Sequence, residues 1–256
     1  MADVIYDRIG AGYALHRRGD PRLAARIEAA LGDARSVLNV GAGAGSYEPA
    51  GREVTAVEPS VEMISQRPPG AAPVVRASAE SLPFADGSFD VAMAILTAHH
   101  WADLDAGLAE MRRVARRRLV ILTFDPEPLE ELWINADYFP ETLKLRRPAG
   151  AGGGDLAARL PAATVAPVPV PRDCEDRFFA ALWGRPELLF DDEVMRPLWI
   201  WRSIPEQARR AGRARLRSEL DDGTWQRRHG HLLEREEFDV GLRLVVSELG
   251  PGPGEA

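Results

Sequence analysis

The stretch Val37-Leu38-Asn39-Val40-Gly41-Ala42-Gly43-Ala44-Gly45-Ser46 constrains this chain more than any other. Val37 to Val40 is a short, nearly continuous apolar run, the pattern of a strand buried on both faces of a parallel sheet. It runs into a turn with glycine at every second position, where the backbone can take positive φ and approach a ligand without a Cβ in the way. A second run, Glu53-Val54-Thr55-Ala56-Val57, ends in Glu58. An acidic residue at the end of the second strand is placed to accept hydrogen bonds from two ribose hydroxyls. Glycine turn and acidic strand end together predict a ligand that contains a nucleoside.

The spacing narrows the choice of nucleoside. Glycines at 41, 43 and 45 give G-x-G-x-G, whereas a dinucleotide fingerprint needs its third glycine at the position of Ser46. Tyr47, Glu48 and Pro49 follow, an acidic and rigid segment that does not suit a pyrophosphate on a helix N-terminus. These residues favour S-adenosylmethionine (SAM) over NAD or FAD. On them the chain resembles the class I SAM-dependent methyltransferases of the small-molecule, type 11-like kind, closely over its first half and in outline over its second.

The order of apolar segments agrees with that resemblance. Asp20 and Pro21 open a helix with Leu23, Ile27, Ala30 and Leu31 at helical spacing. Pro59-Ser60 starts another, containing Met63 and Ile64. Further strands are expected at 74–77, 90–96 and 119–124, with a helix carrying Leu104, Leu108, Met111 and Val114 between the last two. Strands alternating with helices predict an α/β, Rossmann-like, doubly wound sheet. After a glycine-rich loop at 148–154 and a short helix at 155–160, residues 164–170 read as an edge strand, because Pro167 and Pro169 do not suit a central one. About three helices are expected over 175–220, and 238–249 alternates as a last strand. The resemblance implies a seven-stranded sheet ending in an antiparallel hairpin, here with a helical insertion before the last strand. A single domain over 1–256 is expected: an N-terminal helical cover (1–35), a Rossmann-like core (36–174), a helical cap (175–235) and the last strand (236–249).

The resemblance also implies roles for individual residues. The turn residues Gly41, Ala42, Gly43 and Gly45 would lie against the methionine part of SAM, with Asn39 beneath them, and Glu58, Pro59 and Met63 would border the ribose. Asn39 stands where the family more often has Asp, which removes a charge near the sulfonium and amino groups; Glu48 is a candidate to supply it. Ala77-Ser78-Ala79-Glu80-Ser81-Leu82-Pro83-Phe84 resembles the family's Gly-Asp-Ala-Glu-x-Leu-Pro-Phe. Ser78 replaces the Asp that accepts from the adenine amino group, Ala79 still supplies a backbone N–H, and Glu80 completes the segment. Thr97 and Ala98 would line the methionine pocket. Tyr13 and Arg17 belong to an N-terminal segment, with a short helix at 4–15, that folds over SAM in similar enzymes.

His99 and His100 follow the fourth strand, at the carboxyl end where ligands bind in such sheets. Either is a candidate general base, since the reference pKa of histidine lies near 6.5; the alternative is that neither touches the reacting proton. Asp125 and Tyr138 are candidates to face the acceptor. Cys174, the lone cysteine, reads as a packed thiol, and no metal site is expected. Arg209, Arg210, Arg213, Arg215 and Arg217 read as a solvated helix face.

Composition bounds the function. The net charge of −7 argues against nucleic acid as a partner. No apolar run approaches 20 residues and no signal peptide is evident, so a cytoplasmic protein without a membrane partner, monomeric or homodimeric, is the expectation. The predicted activity is transfer of the SAM methyl to an oxygen, nitrogen or carbon of a small-molecule acceptor, leaving S-adenosylhomocysteine. The alternative is a SAM-binding protein on the same fold that does not methylate, either catalysing another reaction such as a cyclisation or serving as a non-catalytic scaffold.

Overall fold

The computed structural model describes residues 18–145 and 150–250. The predicted helix at 4–15, with Tyr13 and Arg17, lies outside the described residues, as does part of the glycine-rich loop.

Helix α1 (Pro21–Leu31) begins where the sequence signals it: Asp20 accepts the N–H of Arg22, and Pro21 occupies the first turn. The strands that follow are β1 (Ser36–Val40), β2 (Glu53–Val57), β3 (Val74–Val75), β4 (Phe89–Ile95) and β5 (Ala115–Phe124). The short helix α2 (Val61–Ser65) lies between β2 and β3, and α3 (Leu104–Val114) leads into β5. Later come α4 (Pro126–Glu131), α5 (Gly153–Arg159), β6 (Ala163–Pro167), β7 (Val170–Pro171), β8 (Glu237–Phe238) and β9 (Leu242–Glu248).

One sheet has the order β3-β2-β1-β4-β5-β9-β6. Strands β1 to β5 pair in parallel, while β9 runs antiparallel to both β5 and β6. Alternation along the strands sorts the core into two layers. Val37, Val91, Met93, Val120 and Leu122 pack with Leu23, Ile27 and Leu31 of α1. Leu38, Val40, Ala92, Ala94 and Ile121 pack with Leu104, Leu108 and Met111 of α3 and Leu156 of α5. Both faces are covered, which explains the unbroken apolar runs.

Residues 168–241 form the insertion before the last strand. It holds the short pair β7–β8, three 3-10 turns and the helices α6 (Asp192–Met195), α7 (Trp199–Ser203), α8 (Glu206–Asp221) and α9 (Thr224–His229). Its Trp183 and Trp225 are fully buried, and its core is continuous with the α1 layer. Gly212 lets α8 approach the turn at 134–139, because a Cβ there would fall within 2.8 Å of the Phe139 ring.

Several boundaries differ from the sequence expectation. The last strand starts at Leu242 rather than 238, because Asp239 accepts the Gly241 N–H at 2.8 Å and Gly241 has φ +91°, a turn that separates it from β8. The edge strand β6 stops at Pro167, and Val168 makes one further bond to Leu242 before the chain leaves the sheet. Gly153 and Gly154 belong to α5 rather than to a loop. About three helices were expected over 175–220, and three stand there, α6, α7 and α8; α6 and α7 are only about one turn long, divided by Pro197 and Pro205, and only α8 exceeds two turns.

Asp90 joins three strands of the sheet. Its carboxylate accepts the N–H groups of Arg35 (2.9 Å) and Ser36 (3.0 Å) and pairs with Arg116 at 2.7 Å. Burial opposes its ionisation, but Arg116 and the two amides prevail and hold its pKa well below the usual carboxylate range. A depressed pKa stabilises the fold above the unfolded value near 3.9 and loses that effect as the pH falls towards the folded value. Asp90→Asn is therefore expected to lower the melting temperature at pH 7. The gap from wild type should narrow steadily below about pH 4 in melts across a pH series.

Candidate active site

The turn after β1 folds back over the end of β2. The N–H groups of Gly41 and Ala42 both donate to the carbonyl of Val57, at 2.8 and 2.9 Å. Gly41, Gly43 and Gly45 have φ of +69°, +53° and +90°. At Gly41 the need for glycine is doubled: a Cβ would fall within 2.9 Å of the Thr97 Cβ and closer still to its hydroxyl. At Gly43 it would meet the Met63 methyl at 3.2 Å. The turn therefore presents bare backbone at the carboxyl ends of β1 and β4. No helix follows it among the described residues; the chain makes turns from Gly41 to Gly51 and enters β2. A helix N-terminus for a pyrophosphate is thus missing from this connection.

Glu58 closes the turn. One carboxylate oxygen accepts the Gly43 N–H at 2.8 Å and the other the Ser60 N–H at 3.0 Å. The side chain is buried, as is Asn39 of β1. A carboxylate offers about four acceptor positions, so it can serve backbone amides and ligand hydroxyls together. Pro59 follows it, and Ser60 caps α2 by accepting the Met63 N–H at 3.2 Å.

Glu48, the candidate for a compensating charge, has another role. It forms a buried pair with Arg67 at 2.5 Å and accepts the Ala72 N–H at 3.0 Å. Arg67 also donates to the carbonyls of Gly43 (3.2 Å) and Ala72 (3.0 Å). Its charge is neutralised there, so the pair staples the glycine turn to the 66–72 segment. Sequence reasoning missed Arg67, which has no local signal; its partner lies 19 residues away.

In the segment after β3, Ser78 is exposed and Ala79 buried. Glu80 reaches across to accept the N–H groups of Ala102 (2.8 Å) and Asp103 (3.3 Å). That bond ties this segment to the turn after β4. There Leu96 has φ +55°, uncommon for a residue with a Cβ and a form of local strain. The chain then makes a 3-10 turn, Ala98–His100. Ala98 is buried, whereas Thr97, His99 and His100 are half-buried. The two imidazole rings lie 4.0 Å apart between centroids, and His100 meets the edge of Trp199 in α7 at 5.6 Å. Trp199 is one of the large apolar residues of the insertion, but nothing in its spacing marks it as a neighbour of His100. Among the described residues, no group of three or more His, Cys, Asp or Glu is placed to hold a metal ion.

Asp125 and Tyr138 do not gather here as acceptor-facing groups. Asp125 accepts from Gly153 N–H (2.8 Å) and Arg243 (2.7 Å), joining β5, α5 and β9. Tyr138 is buried and donates to Glu219 of α8 at 2.6 Å. Burial and that carboxylate raise its pKa, so it stays a neutral phenol. Cys174 is a packed thiol, pushed up to about 12 by burial and by the nearby Asp20 and Asp176. The arginine-rich face of α8 is only partly solvated: Arg213 turns inward over Trp201, 4.7 Å from the ring centroid, and pairs with Asp192 at 2.7 Å.

A glycine turn closed by a carboxylate just past β2, on a sheet of this strand order, belongs to the Rossmann-like class of folds, in which ligands bind at the carboxyl ends of the strands. Comparison makes the assignment specific. The methyltransferase-domain family profile matches residues 38–121. A solved structure from Anabaena variabilis, described as a methyltransferase from an antibiotic biosynthesis pathway, superposes with a TM-score of 0.82. It is 30% identical, over 91% of this chain and 98% of that one. A malonyl-[acyl-carrier protein] O-methyltransferase of Pseudescherichia vulneris is 35% identical over 119 residues, 43% of this chain and 47% of the relative. An uncharacterised protein of Escherichia coli, YafE, is 40% identical over 60 residues, 22% of this chain and 29% of the relative. The chain thus matches less than half the length of these two curated relatives. It belongs to the class I SAM-dependent methyltransferases. No helix among the described residues is long and apolar enough to cross a membrane.

Replacing Gly41 by Ala is expected to lower the melting temperature by several degrees. A collision with Thr97 and a positive φ act together, at about 1–3 kcal/mol each. Adding Thr97→Ala should restore only the steric part, which thermal melts of the single and double variants would resolve.

Proposed function

We propose that the chain binds SAM across the glycine turn and transfers its methyl group to an oxygen, nitrogen or carbon nucleophile of a small-molecule acceptor held beneath the 175–235 cap. The observation that carries this reading is the Glu58 carboxylate, buried at the end of β2 and bonded to Gly43 N–H at 2.8 Å. The residues fit the cofactor: glycines in positive φ keep the turn's backbone close against Thr97 and Met63, and an acceptor of hydroxyl hydrogens stands beside them. When bound, SAM supplies a methyl activated by its sulfonium. Gly41, Ala42, Gly43 and Gly45, with Asn39 below and Thr97 and Ala98 opposite, would hold its methionine part. Glu58, Pro59 and Met63 would hold the ribose, and Ser78, Ala79 and Glu80 the adenine side. Tyr13 and Arg17 would complete the cover.

The acceptor side is apolar. Phe124 at the end of β5 meets Phe178 at 5.7 Å, and Trp199 meets His100. Such walls exclude water and fix the nucleophile, and orientation alone supplies much of the rate when reacting atoms are held at about 3–3.5 Å. His99 or His100 would accept the proton that an oxygen or nitrogen nucleophile releases. The relative from P. vulneris is an O-methyltransferase by name, which supports oxygen among the acceptor atoms.

The test is calorimetric titration with SAM and with S-adenosylhomocysteine. Wild type should bind both in the micromolar range. Glu58→Ala should weaken SAM about 10- to 100-fold, the effect of losing a charged hydrogen bond of about 1.5–3 kcal/mol. An unchanged dissociation constant removes Glu58 from the site; no binding to wild type removes the cofactor reading. If either histidine takes the proton, His99→Gln or His100→Gln should lower kcat at least tenfold on an acceptor found by screening, with SAM affinity unaltered.

A further inference from the structure

The glycine turn and the insertion meet in a buried polar cluster that the proposed methyl transfer does not use. Tyr47, two residues past Gly45, donates its hydroxyl to Asp176 at 2.8 Å and accepts the Asp20 N–H at 3.4 Å. Asp20 in turn accepts the Glu175 N–H at 2.9 Å. Asp20 and Asp176 are fully buried, and Tyr47 is 9% exposed. The carbonyl of Asp176 accepts from Phe178 N–H at 2.9 Å, and the Phe178 ring packs on Phe124 at the carboxyl end of β5. A continuous path of bonds therefore runs from the cofactor turn to an aromatic wall of the acceptor side. Gly19 adds a direct contact, since a Cβ there would collide with the Ser46 carbonyl.

Two buried carboxyl groups, of which Asp20 is also ion-paired with the half-exposed Arg22 at 2.7 Å, are a costly way to hold two segments together. Apolar residues of similar volume would do so at equal or lower free energy. What hydrogen bonds add is direction: the Tyr47 hydroxyl fits one register of the 174–178 segment, whereas an apolar contact tolerates sliding. Tyr47 also stands outside the set of residues proposed to touch the cofactor. Its hydroxyl can thus report the conformation of the turn to the cap without altering the turn's own contacts.

We propose that Tyr47 is a positioning residue that couples occupancy of the glycine turn to the register of the acceptor cap through Asp176. This rests on the reading that the turn holds SAM or its product. Filling the turn restrains Tyr47; Tyr47 restrains Asp176; and Asp176 sets Phe178 against Phe124 before the acceptor arrives. Coupling of this kind requires that both sites bias one shared element, here the 174–183 segment.

The experiment is hydrogen–deuterium exchange on the full chain, with and without saturating S-adenosylhomocysteine, for wild type and Tyr47→Phe. In wild type, exchange should slow in both 40–48 and 174–183. In Tyr47→Phe, slowing at 40–48 should persist while slowing at 174–183 falls about tenfold or disappears. A structural role alone would lower the melting temperature and leave the ligand-induced difference at 174–183 intact, which overturns the proposal. So does protection confined to 40–48 in wild type, which leaves the cofactor reading standing. No protection in either segment of wild type overturns both. Asp176→Leu, which removes the acceptor but keeps apolar volume, breaks the path independently and should give the same pattern; Asp176→Asn, which keeps an acceptor oxygen, should restore protection at 174–183.

Discussion

The bond between the Glu58 carboxylate and the Gly43 N–H is the constraint on which the arrangement of the site depends. It joins the ends of the first two parallel strands where the sheet order reverses direction, with β2 and β3 on one side of β1 and β4 on the other. A backbone turn in positive φ is inherently adaptable, because glycine loses more conformational freedom on folding than any other residue. The carboxylate limits that freedom from β2, Thr97 limits it from β4, and Arg67 limits it from the segment after α2. Three separate elements thus converge on one short turn, giving a preorganised cradle rather than a loop that must order itself on binding.

Partly buried charge recurs as the means of joining distant segments. Asp90 ties β1 to β4 and β5, Glu48 with Arg67 ties the glycine turn to residue 72, and Asp125 with Arg243 ties β5 to β9 and α5. Each carboxylate also accepts at least one backbone amide besides its ion-pair partner, which offsets its partial removal from water. The apolar layers bring these segments together, and the charges select how they align.

What was legible in the sequence had local causes. The glycine turn, the acidic strand end, the Asp20 cap and the edge position of the strand bearing Pro167 each follow from a few adjacent residues, and each stands in the structure. The parallel order followed from unbroken apolar runs. The misreadings were of groups whose partners lie far along the chain. Asp125, Tyr138 and Glu48 looked available for chemistry because Arg243, Glu219 and Arg67 could not be matched to them by spacing. Trp199 stands beside His100 because of the path taken by the insertion, and Tyr47 finds Asp176 across 129 positions. In the insertion the number of helices was about legible but their lengths were not, because prolines divide the chain ahead of α8 into turns too short to show a helical repeat.

The two ends of the sheet carry a consequence for association between copies of this chain. One edge, β3, is two residues long, and the other, β6, ends in Pro167, which has no N–H to offer. Neither presents the long row of unsatisfied donors and acceptors on which another strand could template itself. Its parallel centre is apolar enough to be hazardous if uncovered, yet both margins are too short or too poor in donors to extend. Among the described residues, accretion strand upon strand at either end of this sheet is denied a starting point.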